Sequence, residues 1–555
     1  MSRFRSAYIV PLLLLSAPLV RAQEPSQLLD RYGTQWKDQP GVVLKLHTTI
    51  RVEHTDKGVV ATKTVEKEYL ALKPPSSQDE IEEVGYSTLV PLEKLNAWTM
   101  VPKDKSYRKV NVTEFSHRDE REGSVFHDDS RNVQFHYPGM ATGAITHMDY
   151  TIAYPDARMV TGHYFASGIP VVESSLTVIS DKDVEVVGNL FHVPADKVQH
   201  ERTVERGRNV ERWTMTEVPA MEFEPGAPNL RYYAPHMQVV VRKPGEKAGS
   251  DLDRMYAWNY EHIRNAMSDQ DSSLVRIAKE TTAGLTDDRS KAAALYHWVQ
   301  THVKYVAMED GMNGLVPAQP NEVCNARYGD CKGMANLLRA LMTNAGLNAH
   351  LVWVGTRDLP YSYDEMPGPV TDDHMITAWE HDGELMLLDP TSSSTPFGMP
   401  SAFIQGKQAM VAMDQDHFKI VNVPIPPADA NQLIDSVQAR LEGTTLTGSG
   451  ITTFTGYQRA TFSEAFQRVE KKKWKDMIRA TFMKGNNRFQ VDSVTVEGLE
   501  DPDKPLRMRY VFSIPGFTTK AGKENIVPRL LFDPFEDRYY RKERKLPVEE
   551  DYRWK

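Results

Sequence analysis

Hydrophobic and polar positions divide the chain into three textures. In Val42–Val52 and Val59–Leu72, β-branched residues partly alternate with polar ones, the period of a half-buried strand. Gly143–Tyr154, Val171–Ile179, Val210–Thr216 and Met237–Val241 repeat the pattern, with turn chemistry at Tyr137-Pro138-Gly139 and Glu224-Pro225-Gly226. Helical spacing is scarce here, so residues 40–245 are expected to form an N-terminal antiparallel β domain.

The period changes after Lys243-Pro244-Gly245 and the polar stretch Lys247–Asp251, which reads as a linker. Leu252–Ala266 leads a set of helices, and Asp288–Val303 places Ala292, Leu295, Val299 and Val303 on one face. Cys331–Ala345 is the clearest helix. Met334, Leu337, Leu338, Leu341 and Met342 form one apolar stripe, and Gly346 stands where helices stop. Strands follow at Ala349–Val354, His374–Trp379 and Glu384–Leu388, the last two joined as a hairpin by His381-Asp382-Gly383. Residues 252–425 thus predict a helix-led core. Residues 430–555 predict a C-terminal β-rich domain with a helical or mixed middle around Ser463–Met483 and a charged tail, Asp533–Lys555. The fold class is α+β, a mixed core flanked by β-rich domains.

Composition narrows the function classes. A chain of 555 residues with 40% hydrophobic and 25% charged residues is ordinary globular material. A net charge of -9 leaves no basic footprint, so no nucleic-acid partner is expected. Residues 1–22 read differently: Arg3 and Arg5 precede the apolar run Tyr8–Val20, and Val20-Arg21-Ala22 offers a cleavage site. Pro11 and Pro18 interrupt that run, which falls short of the roughly 20 residues a bilayer span needs. A signal peptide cleaved near Gln23 is expected, with no transmembrane span afterwards and a periplasmic or secreted destination.

Two cysteines, Cys324 and Cys331, are too few for a disulfide framework. Either they pair, or at least one is a working thiol. Gly329-Asp330 is turn chemistry and the apolar helical stripe begins just beyond, which sets Cys331 in the first turn of a helix. Unpaired backbone N–H groups and the helix dipole favour an anion there, and a thiolate is the nucleophilic form of cysteine. A nucleophile needs a base, and a base needs a group to orient it. His374 opens one hairpin strand and Asp389 follows the other, so both lie at the same end of the pair. Taken alone, His374 would be a surface strand residue and Asp389-Pro390-Thr391 a turn. In this order the three compose a Cys-His-Asp constellation.

Gly329-Asp330-Cys331-Lys332-Gly333, then His374 on a strand, then Leu387-Leu388-Asp389-Pro390-Thr391 resembles the transglutaminase-like superfamily, which has a papain-like fold. The resemblance runs from Asp288 to about Met413 and includes Tyr305, Pro317–Pro320, Gly346-Leu347 and Ile404-Gln405-Gly406-Lys407. It implies Cys331 as nucleophile, His374 as general base and acid, and Asp389 as its orienting partner. Upstream, Phe135-His136-Tyr137-Pro138-Gly139-Met140, Pro170–Ser174, Trp213 and Glu222–Pro228 resemble a domain of unknown function that often precedes such cores in exported bacterial proteins. The C-terminal stretch through Arg541 and Leu546-Pro547-Val548 is similar to a small β domain that follows some of them.

Two departures matter. Met375-Ile376-Thr377 follows His374 where many members of the superfamily carry tryptophan, and Trp379 comes later. No acidic cluster resembles the calcium sites of cross-linking transglutaminases, so neither a metal nor another cofactor is expected. The side-chain oxyanion donor is not fixed by motif; Gln319 is the candidate, by analogy with amide side chains upstream of the nucleophile in papain-like sites. The expected chemistry is acyl transfer from protein or peptide amides through a Cys331 thioester, hydrolysis rather than cross-linking, with cell-envelope substrates in view. The competing reading is a catalytically silent envelope binding or assembly protein that keeps the fold as a scaffold.

Overall fold

The computed structural model describes residues 24–119, 125–128, 130–245, 249–267, 271–482, 486–527 and 543–553. The expected signal peptide, residues 246–248 of the linker, and Arg541 with most of the charged tail lie outside the described residues.

Alternating residues build the N-terminal part around an eight-stranded sheet. Its centre is the hairpin Gly41–Thr55 and Gly58–Ala71, flanked by Val171–Ser180 on one side and Ile145–Tyr154 on the other. Ile50, Val52, Leu176 and Val178 face Met237, Val239 and Val241 of a second, three-stranded sheet, and these close the main core of this part. Within this eight-stranded sheet, one pairing departs from the antiparallel expectation. Gly41–Thr55 runs parallel to Val171–Ser180, with Val43 opposite Val171. The strands are joined through more than a hundred intervening residues, a connection long enough to return the chain in the same direction. Strands Leu92–Lys103 and Gln199–Glu205, absent from the sequence expectation, extend the sheet on its two sides. Every residue of Gln199–Glu205 is exposed, so no hydrophobic period marks it.

The core begins with helix α1 (Asp251–Ile263), capped by a reciprocal Ser250–Asp253 box. Helices α2 (Ser272–Thr281) and α3 (Asp288–His302) follow, then the short α4 (Pro320–Ala326) and α5 (Cys331–Asn344). They pack on a five-stranded antiparallel sheet of β1 (Asn348–Val354), β2 (His374–His381), β3 (Glu384–Leu388), β4 (Gln408–Ala412) and β5 (Phe418–Asn422), in the order β3-β2-β1-β4-β5. α5 is central. Its Met334, Leu337, Leu338 and Leu341 meet α2 and α3, while Ala335 packs with Leu351, Trp353 and Met375 of the sheet.

The expected apolar stripe of α5 is therefore only part of its buried surface: every residue from Cys331 to Met342 is buried. Burial all round obliges its polar residues to find partners. Asn336 Nδ2 donates to the Ala266 and Ala318 carbonyls at 2.7 and 3.0 Å, and Asn336 Oδ1 accepts from Arg339. Gly346, at φ 79°, ends the helix, and Leu347 N–H returns to the Met342 carbonyl at 3.0 Å.

Beyond the core, Leu433–Glu442, Thr445–Phe454, Leu506–Ile514 and Gln490–Glu497 form a four-stranded antiparallel sheet. The expected helical middle appears as Gly456–Arg468 and Trp474–Phe482, which pack on it through Phe466, Trp474, Ile478 and Phe482. Residues 543–553 run back over all three parts: Lys545 N–H bonds Glu224, Arg357 bonds the Glu550 and Asp551 carbonyls, and Asn431 bonds the Arg553 carbonyl. The protein is thus α+β with a mixed core and β-rich flanks.

Candidate active site

The loop into α5 is built by small residues. Arg327 ends α4 in the left-handed region at φ 61°, and the chain turns through Gly329 into Asp330. A Cβ on Gly329 would stand 2.9 Å from Val323 Cγ1, and one on Gly333 3.0 Å from Val323 Cγ2. Both glycines let this loop and the first turn of α5 close against α4. Asp330 caps the helix, its Oδ1 accepting from Gly333 N–H at 2.7 Å, while its other oxygen pairs with Lys332. Cys331 is the first helical residue, buried at 7% exposure.

Strand register brings the other two residues to it. β2 and β3 pair with Thr377 opposite Leu388, so the start of β2 and the residue after β3 share one end of the sheet. His374 Nε2 lies 2.9 Å from Asp389 Oδ2, and the same ring lines one cavity with Cys331, which acts on it electrostatically. With Nε2 on the carboxylate, Nδ1 is the atom left for the sulfur. Burial alone would push the imidazole down; the Asp389 carboxylate, helped by Cys331, outweighs it and holds the ring well above its ordinary value.

Asp389 is fully buried, which would raise its carboxyl, yet it is held below the usual carboxylate range. His374 is the main reason, supported by Ser401 Oγ at 2.6 Å and Thr391 Oγ1 at 2.7 Å. The segment after Asp389 is itself pinned to α3: Tyr296 Oη donates to the Asp389 carbonyl at 2.9 Å, and Gln300 Nε2 to the Ser392 carbonyl at 2.6 Å.

Gln319 is not brought to this place. It caps α4, its Nε2 donates to the Asn265 carbonyl at 2.8 Å, and it lines a different depression from the one Cys331 lines. Its donor is therefore engaged in holding α4 to the end of α1. The cavity at Cys331 has a volume of about 230 Å³ and is lined by Trp258 and Asn259 of α1, Trp353 of β1, Asp372, and His374. Sequence reasoning missed Asn259, Ser401 and Asp372. None stands in a motif with a regular spacing to Cys331; each arrives by tertiary packing. Burial raises the Asp372 carboxyl to about 7, with Tyr363 Oη donating to its Oδ1 at 2.6 Å.

Among the described residues, one group has donor atoms close enough for a metal: Glu66, Glu68 and His147 of the N-terminal sheet, within 4.8 Å of one another. Glu66 is paired with Lys45 at 2.8 Å, and Glu68 Oε1 lies 3.1 Å from His147 Nδ1, so both carboxylates already have protein partners.

Residues 275–381 match the transglutaminase-like superfamily. The chain carries a transglutaminase-like core. The matched span holds Cys331 and His374 and stops before Asp389. Residues 61–222 match DUF3857, a domain of unknown function. A protein of Parabacteroides distasonis, provisionally described as a protease, shares the fold: TM-score 0.54 at 12% identity, covering 88% of this chain and 94% of that one. A protein of Cytophaga hutchinsonii, provisionally described as a cysteine protease, aligns over 42% of this chain and 74% of that one, at 15% identity and a TM-score of 0.19 too low to carry an argument. No curated protein matches the chain. Among the described residues, no helix is long and apolar enough to cross a membrane.

Proposed function

We propose that the transglutaminase-like core performs acyl transfer on protein or peptide amides, with Cys331 as nucleophile, His374 as general base and acid, and Asp389 as the group that orients the ring. The observation that carries this reading is the position of His374, 2.9 Å from Asp389 and lining one cavity with Cys331. Cys331 Sγ attacks the amide carbonyl and its proton passes to His374. When the C–N bond breaks, His374 returns that proton to the leaving amine, and a thioester remains on Cys331. His374 then draws a proton from water as the water oxygen attacks the thioester, releasing a carboxylic acid and the thiol. Hydrolysis is favoured over cross-linking because water is present at any site that does not exclude it. Residues 1–22, with their positive start and apolar run, favour action outside the cytoplasm.

A thiol-reactive amide probe should label the wild type and leave Cys331→Ala unlabelled. An unlabelled wild type would favour the scaffold reading instead. Adding an excess of a primary amine to a turnover assay separates the two acceptors: hydrolysis predicts carboxylic acid as the main product. Export is checked by N-terminal sequencing of the protein recovered outside the cytoplasm, where a start near Gln23 is expected.

A further inference from the structure

The acyl-transfer reading leaves one role open, because Gln319 does not reach the cavity. A carbonyl attacked by Cys331 Sγ gains an S–C bond while its π pair moves onto oxygen, and that oxygen needs donors on its side of the site. The Cys331 backbone N–H, unpaired by position in the first turn of α5, supplies one. The second must be a side chain that lines the cavity and has a donor to spare.

Asn259 meets both conditions. It lies on α1, lines the cavity with Cys331 and His374, and is 6% exposed. Its Nδ2 is buried and has no hydrogen-bond partner among the described residues. An amide N–H buried without an acceptor destabilises a fold, so such a group points to a partner that arrives later. Three polar neighbours in the cavity already hold partners, whereas Asp372 Oδ2, an acceptor when ionised, is also buried without one. His262 Nδ1 bonds the Trp258 carbonyl at 2.8 Å, Lys332 pairs with Asp330, and Asp373 accepts from Thr356.

We propose that Asn259 is the side-chain half of the oxyanion hole, donating with the Cys331 N–H to the substrate carbonyl oxygen as it takes on negative charge. This rests on the acyl-transfer reading of Cys331. When the C–N bond breaks, the pair returns from oxygen to carbon, so Asn259 binds charge only between the two steps and exchanges no proton.

Two reactions of the same thiol separate this role from support of the fold. Acylation by p-nitrophenyl acetate passes through an oxyanion; alkylation by iodoacetamide, at a saturated carbon, does not. Asn259→Ala should lower the acylation rate by about 10²–10³ and leave the alkylation rate of Cys331 unchanged, which also reports an intact site. Asn259→Asp, nearly the same shape but with a negative charge facing the oxyanion, should show the same split if the alanine variant does not fold. Equal losses in both reactions, or no loss in acylation, would overturn the proposal. So would a selective acylation loss in Trp258→Phe with none in Asn259→Ala, because Trp258 lines the same cavity and its indole carries an N–H donor. A wild type that iodoacetamide alkylates but the ester never acylates would overturn the acyl-transfer reading itself, and Asn259 with it.

Discussion

His374 and Asp389 meet at 2.9 Å because Thr377 pairs with Leu388, which places the opening of β2 beside the residue that follows β3. The carboxylate is fully buried and accepts from His374, Ser401 and Thr391 together. A carboxylate so surrounded keeps one ring nitrogen protonated and turns the other toward the sulfur.

Asp389→Asn should therefore lower the acyl-transfer rate by up to about 10⁴, since an amide can favour the wrong imidazole tautomer. Ser401→Ala removes one of several bonds to the carboxylate and should lose far less, about 1.5–3 kcal/mol of stability for a hydrogen bond to a charged group. Rates and urea unfolding of the two variants check the order; a larger rate loss in Ser401→Ala would contradict it.

Cys324 sits in the core with Val323, Met334 and Leu337, and it and Cys331 are both free thiols. Burial raises the Cys324 thiol above its ordinary value, so it is a poor nucleophile. Cys324→Ala should retain activity at a stability cost of about 1 kcal/mol. Reductant should leave wild type and variant in the same ratio. Activation of the wild type by reductant, absent in the variant, would show that the two sulfurs can join.

Asp372 gives stability a pH signature. Its folded value of about 7 lies above the roughly 3.9 of an unfolded aspartate. Between those values the folded state binds more protons than the unfolded one, so stability falls as pH rises through that window and then levels off. Asp372→Asn keeps an acceptor for Tyr363 Oη and removes the titration. The variant's melting temperature should therefore exceed that of the wild type by more at pH 8 than at pH 5. An equal gap at both would place the Asp372 carboxyl near its ordinary value.

Arg459 is 2% exposed, and its guanidinium donates to the carbonyls of Lys504, Ser394, Gly498 and Asp501. Ser394 belongs to the segment that follows Asp389, so this side chain ties the C-terminal part to the active-site end of the core. Arg459→Leu leaves four carbonyls without that donor and should cost about 3–5 kcal/mol, read as a lower urea midpoint. A cost below about 1 kcal/mol would mean that water replaces it readily.

The sequence by itself determined the local parts of this protein. The period of the α5 stripe, the Asp330 cap, the Gly346 stop and the His381-Asp382-Gly383 turn are all set by residues a few positions apart, and these alone place Cys331 at a helix tip and His374 and Asp389 at one end of a hairpin. What depends on distant segments was not legible. That Gly41–Thr55 pairs in parallel with Val171–Ser180, and that Gln199–Glu205 is a strand although wholly exposed, follow from neighbours supplied by other parts of the chain. The burial of α5 on every side likewise needs α2, α3 and the sheet together. Gln319 shows the limit at the site: its side-chain type and its place before Cys331 suited an oxyanion donor, but packing gave its amide to the Asn265 carbonyl. Asn259, Ser401 and Asp372 converge on the Cys331 site from three separate segments. Periodicity and capping are local and can be read along the chain; convergence is fixed only when the layers pack.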